Sequence, residues 1–352
     1  MAKICIVGAG SIGCYLGGRL LAAGANVTLV GRARIGNELR EHGLTLTDYR
    51  NGSWQVPPAE VRYVTDPGAA ADADLVLVTV KSAATQSVAD ALKPVLRAGT
   101  VVISFQNGLG NADVLRATLP QHTVLAGMVP FNVMQPGPGA FHQGTGGELE
   151  VAASPMLQPF LGDFLRAGLP LTERTDMAAV QWAKLLLNLN NAINALANRP
   201  LKEELSQRAY RRCLALAQME ALRLLSRAGI QPAKLTPIPP AWIPRLLATP
   251  DAVFARLGGR MLAIDPLARS SMSDDLAAGR ATEVDWINGE VVRLAERLGQ
   301  RAPVNAKLCA MVHAAESAAT RPSWSGNDLL AALRAAGQSA PASLASNNNA
   351  MS

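Results

Sequence analysis

The residue in this 352-residue chain best placed for chemistry is a lysine among leucines. It is Lys184, in the run Gln181-Trp182-Ala183-Lys184-Leu185-Leu186-Leu187-Asn188-Leu189-Asn190-Asn191. With successive residues about 100° apart on a helix, Lys184, Asn188 and Asn191 share one narrow arc. Ile193 and Leu196 continue the apolar surroundings. A cation and carboxamides embedded there must be paired or used, because burying them unsatisfied is costly. Burial also lowers a lysine pKa, toward values that suit proton transfer near neutral pH. The competing reading is a plain polar stripe on an amphipathic helix.

A second group is the glycine run. Lys3-Ile4-Cys5-Ile6-Val7 leads straight into Gly8-Ala9-Gly10-Ser11-Ile12-Gly13 and then an apolar helix from Cys14 to Ala23. A bare GxGxxG is weak, but here it follows a strand, opens a helix and precedes a second strand. Gly8 permits a tight turn, Gly10 admits a pyrophosphate to the backbone, and Gly13 lets helix and strand pack closely. The helix N-terminus, with its unpaired N–H groups and positive dipole end, suits phosphate. Where an NAD site would carry an acid for the ribose 2′-hydroxyl, the second strand ends Val30-Gly31-Arg32, with Arg34 beyond. A guanidinium pairs with a 2′-phosphate instead, so the reading is NADP. A glycine turn of purely structural use, with a loop arginine, is the alternative.

Further polar residues stand where ligands bind open α/β sheets, beyond the carboxyl ends of strands. Lys81 follows Asp74–Val80, and Asn107 follows Thr100–Ser104 through Phe105-Gln106. Asn107-Gly108 is also a turn dipeptide, which leaves local backbone chemistry open as its role. A last cluster reads Arg269-Ser270-Ser271-Met272-Ser273-Asp274-Asp275, then Arg280-Ala281-Thr282-Glu283-Val284-Asp285-Trp286-Ile287-Asn288-Gly289. Glu283 flanks a buried stripe and can face a cleft, or can pair with Arg280 three residues earlier.

These residues need a scaffold, and the hydrophobic pattern supplies one. Short β-rich runs at Lys3–Val7, Ala25–Val30, Leu75–Val80, Thr100–Ser104 and Thr123–Val129 alternate with helical stretches, as in a parallel sheet covered on both faces. Gln135–Gly147 reads as hairpin connections and Glu148–Ala152 as an antiparallel return. After about Leu171 the period changes, and from Met177 it is helical. Val284, Ile287, Val291, Leu294 and Leu298 form one buried stripe, ended at Gly299. Gln231–Pro250 is proline-rich and predicts an irregular excursion. The expected layout is an α/β N-terminal Rossmann-type domain over 1–172, a C-terminal all-helical domain over 173–335, and a disordered tail over 336–352.

Composition narrows the function classes. Apolar residues make up 49% of the chain and charged ones 17%, which describes a globular protein. The net charge of +6 is spread along the chain without a basic block, so it favours small anionic ligands over nucleic acid. Four scattered cysteines and four isolated histidines give no CxxC pair, no disulfide framework and no metal site. The start Met-Ala-Lys enters a strand at once, and no apolar run reaches the roughly 20 residues of a membrane span. The expected location is cytoplasmic.

The ordered set of motifs resembles the ketopantoate reductase (2-dehydropantoate 2-reductase) family. It comprises the glycine fingerprint, Val80-Lys81, Gln106-Asn107-Gly108, Trp182-Ala183-Lys184-Leu185 with its asparagines, Ser270-Ser271-Met272, and Arg280 to Gly289. The resemblance runs from residue 1 to about residue 315 and implies substrate between a Rossmann domain and a helical domain. It implies reduction of 2-dehydropantoate to (R)-pantoate by NADPH, a step in pantothenate and coenzyme A biosynthesis. Matched by position, Lys184 is implied as general acid and Glu283 as its catalytic companion near ammonium, substrate hydroxyl and cofactor. Asn188 and Ser271 are implied substrate contacts, with Lys81 and Asn107 reaching cofactor and substrate. Ser11 and Ile12 join Gly8, Gly10, Gly13 and Arg32 around the NADPH. The family's second asparagine falls on Ala192 here, and Asn191 takes its role on angular grounds, with Asn194 as the alternative. A paralogous reductase of another 2-oxo acid or an imine, and a non-catalytic NADPH-binding regulator, are the competing functions. A homodimer is compatible with an apolar face on the helical domain that the sequence does not locate.

Overall fold

The computed structural model describes residues 1–258 and 268–338. Contacts divide the chain into two units, Met1–Lys184 and a second beginning at Leu185. The strands of the first unit are β1 (Lys3–Val7), β2 (Asn26–Val30), β3 (Leu44–Asp48), β4 (Ser53–Val56), β5 (Arg62–Val64) and β6 (Leu75–Val78). They continue as β7 (Val101–Ser104), β8 (Thr123–Met128), β9 (Val133–Gly137), β10 (Ala140–Gln143), β11 (Leu149–Ala152) and β12 (Leu171–Arg174).

Among the described residues these strands form an eight-stranded sheet in the order β12-β11-β8-β7-β6-β1-β2-β5 and a four-stranded sheet in the order β4-β3-β10-β9. From β5 to β8 every pairing in the large sheet is parallel, while β11 runs antiparallel to β8. The parallel strands are apolar along their length because helices cover both faces, so Ile4, Ile6, Leu75, Leu77, Val102 and Ile103 are all buried. Strand order reverses beside β1, with β2 on one flank and β6 on the other, so β1 ends at the switch point of the sheet.

In the small sheet β9 and β10 form an antiparallel hairpin in the region read as hairpin connections, whereas β3 and β4 were not announced by the sequence. β3 pairs with β10 in parallel, Thr45 opposite Ala140, and with β4 in antiparallel. The helix Ser11–Ala22 joins it to the large sheet. Its Tyr15 hydroxyl donates to Gln143 Oε1 at 2.8 Å, and Arg19 donates to the Tyr15 oxygen and to the Ala167 carbonyl. The Arg19 guanidinium also lies 3.4 Å from the centre of the Trp54 ring. This buried cation is therefore solvated by an aromatic face, a hydroxyl and a carbonyl rather than by water.

Among its described residues the regular elements of the second unit are all helices. The long helix Arg208–Arg227 packs against Gly326–Gln338, Pro303–Glu316 and Ile243–Leu247. Its Glu220 accepts the backbone N–H groups of Val304 and Asn305 at 3.0 and 2.9 Å, capping a neighbouring helix that has no side-chain cap of its own. The stripe Val284, Ile287, Val291 and Leu294 is buried, and Gly299 with φ +61° ends that helix as expected.

The proline-rich excursion is irregular over 231–239 and then folds into short helices at Ile243–Leu247 and Asp251–Leu257. Fully buried Arg211 fixes it by donating to the carbonyls of Leu247 and Thr249, with Asp251 as counter-ion. The change of hydrophobic period near 172 precedes the division after Lys184, because β12 and the first turns of the helix Met177–Asn188 remain with the sheet unit. The helix Gly326–Gln338 also extends three residues into the stretch expected as a tail, correcting that boundary; 339–352 lie outside the described residues.

Candidate active site

In the first unit, four features converge on the carboxyl edge of the parallel strands. At the end of β1, Gly8 has φ +112°, and a Cβ there would lie 2.5 Å from the Val80 nitrogen. Gly13 is equally confined, its Cβ position 2.4 Å from the Gly8 carbonyl oxygen. Thr79, just past β6, locks this turn by donating from its hydroxyl to that same oxygen at 2.8 Å. Gly10 differs. Its φ is −90°, which any residue adopts, and its nearest neighbour to an added Cβ is 3.9 Å away. Neither strain nor packing requires glycine at this position, whereas the approach of a ligand to the bare backbone would. The helix that follows, Ser11–Ala22, has no side-chain cap and no acid in its first turn, so its N-terminal N–H groups and dipole face that space unopposed. These residues fit the pyrophosphate of a dinucleotide.

At the end of β2 stands no carboxylate but Arg32, exposed, its carbonyl accepting from the Tyr63 hydroxyl at 2.9 Å. Arg34 is paired with Glu38, whose other oxygen accepts from Gln135. Arg34 is thus committed to its own helix, and Arg32 is the guanidinium presented at the strand end.

The ends of β6 and β7 are tied together by a polar network that sequence reading missed. Buried Gln106 donates to the Val80 carbonyl at 3.1 Å and to the Thr85 hydroxyl at 2.8 Å, and accepts from Ser104 at 2.9 Å. Asn111 and Ser82 both donate to the Asn107 carbonyl, at 2.8 and 3.0 Å. The backbone on either side of the crevice is therefore fixed, while the side chains of Lys81 and Asn107 are exposed there. The turn that the Asn107-Gly108 dipeptide allows is present, with Gly108 at φ +80°, and Asn107 is exposed. Gln106 was visible only as part of the motif, since nothing in the sequence says that β6 and β7 are neighbours.

Beyond β8 comes Pro130, and its carbonyl accepts from Lys184 Nζ at 2.8 Å. The side chain is partly buried, and the loss of water around the amine pushes its pKa down from 10.5 to about 8. At neutral pH it is still mostly an ammonium, but one that gives up its proton readily. Along 182–197 every residue is buried except Lys184, Leu187, Asn188 and Asn191, an accessible stripe at helical spacing. That stripe is shared by two successive helices. One helix ends at Asn188, Leu189 forms a turn, and a second helix runs Asn190–Ala197, so Asn191 belongs to a different element from Lys184.

In the second unit, Asn194 is fully buried and donates to Glu204 at 2.6 Å and to the Arg199 carbonyl at 3.0 Å, whereas Asn191 is half-buried. Of the two, only Asn191 keeps a carboxamide at the surface. Ser271 is exposed at the start of the helix Ser271–Ala277. Glu283 is half-buried at the N-cap of Val284–Arg297, and Arg280, the alternative partner the spacing offered, bonds to Asp275 at 3.1 Å. The backbone around Glu283 is gripped from the helix Pro303–Glu316: Glu316 accepts the Thr282 N–H at 2.7 Å, and His313 bridges Asp285 and Glu316. Among the described residues no helix is long and apolar enough to cross a membrane.

A doubly wound parallel sheet with a glycine turn at its switch point, followed by a helical unit, defines a Rossmann-type fold with an all-helical C-terminal domain. Residues 4–155 match the family model for ketopantoate reductase PanE/ApbA, and residues 176–316 match its C-terminal counterpart. The 2-dehydropantoate 2-reductase of Halobacterium salinarum is 30% identical over 321 residues, spanning 89% of this chain and 99% of that one. The crystal structure of a PanE/ApbA family ketopantoate reductase from Ralstonia eutropha superposes with a TM-score of 0.76 at 32% identity, covering 89% and 98% of the two chains. A ternary structure of D-mandelate dehydrogenase with NADH and anilino(oxo)acetate gives 0.74 at 20% identity over the same 89% and 98%, a likeness of fold. The chain belongs to the ketopantoate reductase family of oxidoreductases.

The two central glycines make separable predictions. Gly13→Ala should destabilise the protein by about 1–3 kcal/mol through overpacking. Gly10→Ala should cost no more than about 1 kcal/mol as an N-cap change, yet weaken dinucleotide binding about tenfold or more, a loss of roughly 1.4 kcal/mol. Denaturant melts and NADPH titration measure both. Unaltered affinity in Gly10→Ala would mean that the open space serves no pyrophosphate.

Proposed function

We propose that this protein reduces 2-dehydropantoate to (R)-pantoate with NADPH, the reaction whose product feeds pantothenate and coenzyme A synthesis. The observation that carries the reading is Lys184, a softened ammonium anchored on the Pro130 carbonyl at the same strand edge as the glycine turn. Relatives named 2-dehydropantoate 2-reductase, matched over nearly their whole length, support the choice of substrate.

The bound nicotinamide would supply the hydride; the chain's own residues handle the charge this creates. As hydride reaches the carbonyl carbon, the π pair moves onto oxygen. Lys184 stabilises that developing negative charge and passes it a proton, leaving a neutral amine and a hydroxyl. The amine regains a proton from water before the next turnover. Asn107, Asn188, Asn191 and Ser271 are the polar contacts assigned to the oxo acid, and Lys81 adds a cation suited to its carboxylate. Glu283 is assigned to the substrate hydroxyl and the neighbourhood of the ammonium. Gly8, Gly10, Ser11, Ile12 and Gly13 would hold the pyrophosphate, and Arg32 the 2′-phosphate. The choice of NADPH over NADH rests on Arg32 standing where an NAD site needs an acid.

Steady-state NADPH oxidation with 2-dehydropantoate tests the reading. Lys184→Ala should lower kcat at least about 100-fold, the scale of general acid catalysis; near-native turnover would remove Lys184 from its role. Wild-type protein that ignores 2-dehydropantoate but consumes NADPH with another oxo acid would select the paralogous reductase. Arg32→Ala should raise KM for NADPH far more than for NADH, by about tenfold or more for a lost charge-assisted contact. Equal losses would mean that Arg32 does not read the 2′-phosphate.

A further inference from the structure

Behind half-buried Asn191 and exposed Ser271 lies a buried chain of hydrogen bonds with no assigned purpose. Ser270 is its hub. Its backbone N–H donates to Asn194 Oδ1 at 2.9 Å, and its hydroxyl donates to the Asn191 carbonyl at 3.3 Å and accepts the Ser273 N–H at 3.2 Å. Asn194 in turn donates to Glu204 Oε2 at 2.6 Å, an oxygen that also accepts from Asn190 at 3.4 Å. Nearby, the Leu201 N–H donates to the Ala268 carbonyl at 2.8 Å, fastening the same strip of backbone from the Glu204 side. Ser270, Asn194 and Glu204 are all buried, Asn194 and Glu204 completely.

A carboxyl in such a place is an expensive way to hold one carboxamide. Glu204 has no cationic partner, its Oε1 finds no hydrogen-bond partner among the described residues, and burial raises its pKa from 4.5 to about 8. Near neutral pH it is mostly a neutral acid whose Oε2 serves as a fixed acceptor. That acceptor and the Arg199 carbonyl at 3.0 Å together hold the Asn194 amide with its oxygen toward the Ser270 N–H, and Glu204 is the shorter of the two contacts. An amide turned over loses the Ser270 bond, and Ser270 is the residue that ties Asn191 to Ser271.

We propose that Glu204 is a positioning residue for the oxo acid, setting through Asn194 and Ser270 the spacing between Asn191 and Ser271. The proposal rests on the reading of Asn191 and Ser271 as substrate contacts. It makes the Asn-rich run intelligible: Asn191 faces outward to bind, Asn194 faces inward to align, and Asn190 supports the acceptor. No proton or hydride passes through Glu204.

The test compares Glu204→Leu, Glu204→Gln, Ser270→Ala, Asn191→Ala and Ser271→Ala in the full-length protein, with NADPH and 2-dehydropantoate. Glu204→Leu should raise KM for the oxo acid about tenfold or more, as expected for a displaced contact, with kcat and KM for NADPH each within about threefold of wild type. Glu204→Gln keeps an amide oxygen in the acceptor position and should restore KM to within about threefold. Ser270→Ala, which needs no change in the buried carboxyl, should reproduce the KM defect even if Glu204→Leu does not fold. A wild-type KM in Glu204→Leu or in Ser270→Ala, or a defect that Gln fails to rescue, overturns the proposal. If Asn191→Ala and Ser271→Ala raise KM while those two do not, only the positioning role is lost. If Asn191→Ala and Ser271→Ala leave KM unchanged, the substrate-contact reading fails and takes the proposal with it.

Discussion

An ammonium held in an apolar setting by one carbonyl is the constraint around which the rest is arranged. Lys184 reaches Pro130 across 2.8 Å, and this bond takes the place of part of the water that would solvate the group in solution. One neutral acceptor is less than bulk water offers, so the charged form is penalised and the pKa falls. The protein tolerates that penalty because the same helix buries Trp182, Ala183, Leu185 and Leu186 around it. Moving the carbonyl or the helix would change the acidity of the amine, so both must be fixed.

The fixing comes from the strand edge. Thr79 locks the glycine turn to the end of β6, and the set Ser104, Gln106, Thr85, Asn111 and Ser82 locks β6 to β7. Loops beyond parallel strands are the natural place for ligands, but loops are also where backbone wanders. Here the backbone acceptors at Gly8, Val80 and Asn107 each receive a side-chain donor. Exposed Lys81, Asn107 and Arg32 therefore stand on a framework fixed independently of their side chains. The second unit uses the same device from the inside, with Glu220 and Arg211 each gathering several backbone groups to one buried charge.

What the sequence made legible was what is local. β1, the glycine turn and the stripe from Val284 to Leu294 follow from spacing within one element, and each was found where expected. β3 and β4 were not, because β10, which joins β3 to the rest of that sheet, is almost a hundred residues away and short polar-flanked runs such as Leu-Thr-Leu-Thr-Asp carry little signal alone. The same limit hid Glu204. In Leu-Lys-Glu-Glu-Leu-Ser it reads as one of a solvated pair, and only the tertiary packing separates exposed Glu203 from buried Glu204. Angular spacing put Asn191 ahead of Asn194, and the structure leaves Asn191 half-buried and Asn194 enclosed.

The most direct test of this account is the titration of Lys184 itself. Its side-chain resonances can be followed against pH by NMR in selectively labelled protein, with Lys184→Arg to assign the signal. The account predicts a midpoint near 8, well below the ordinary lysine value of 10.5. A midpoint at the ordinary value would show the amine fully hydrated and contradict the claim that this site has prepared its proton donor.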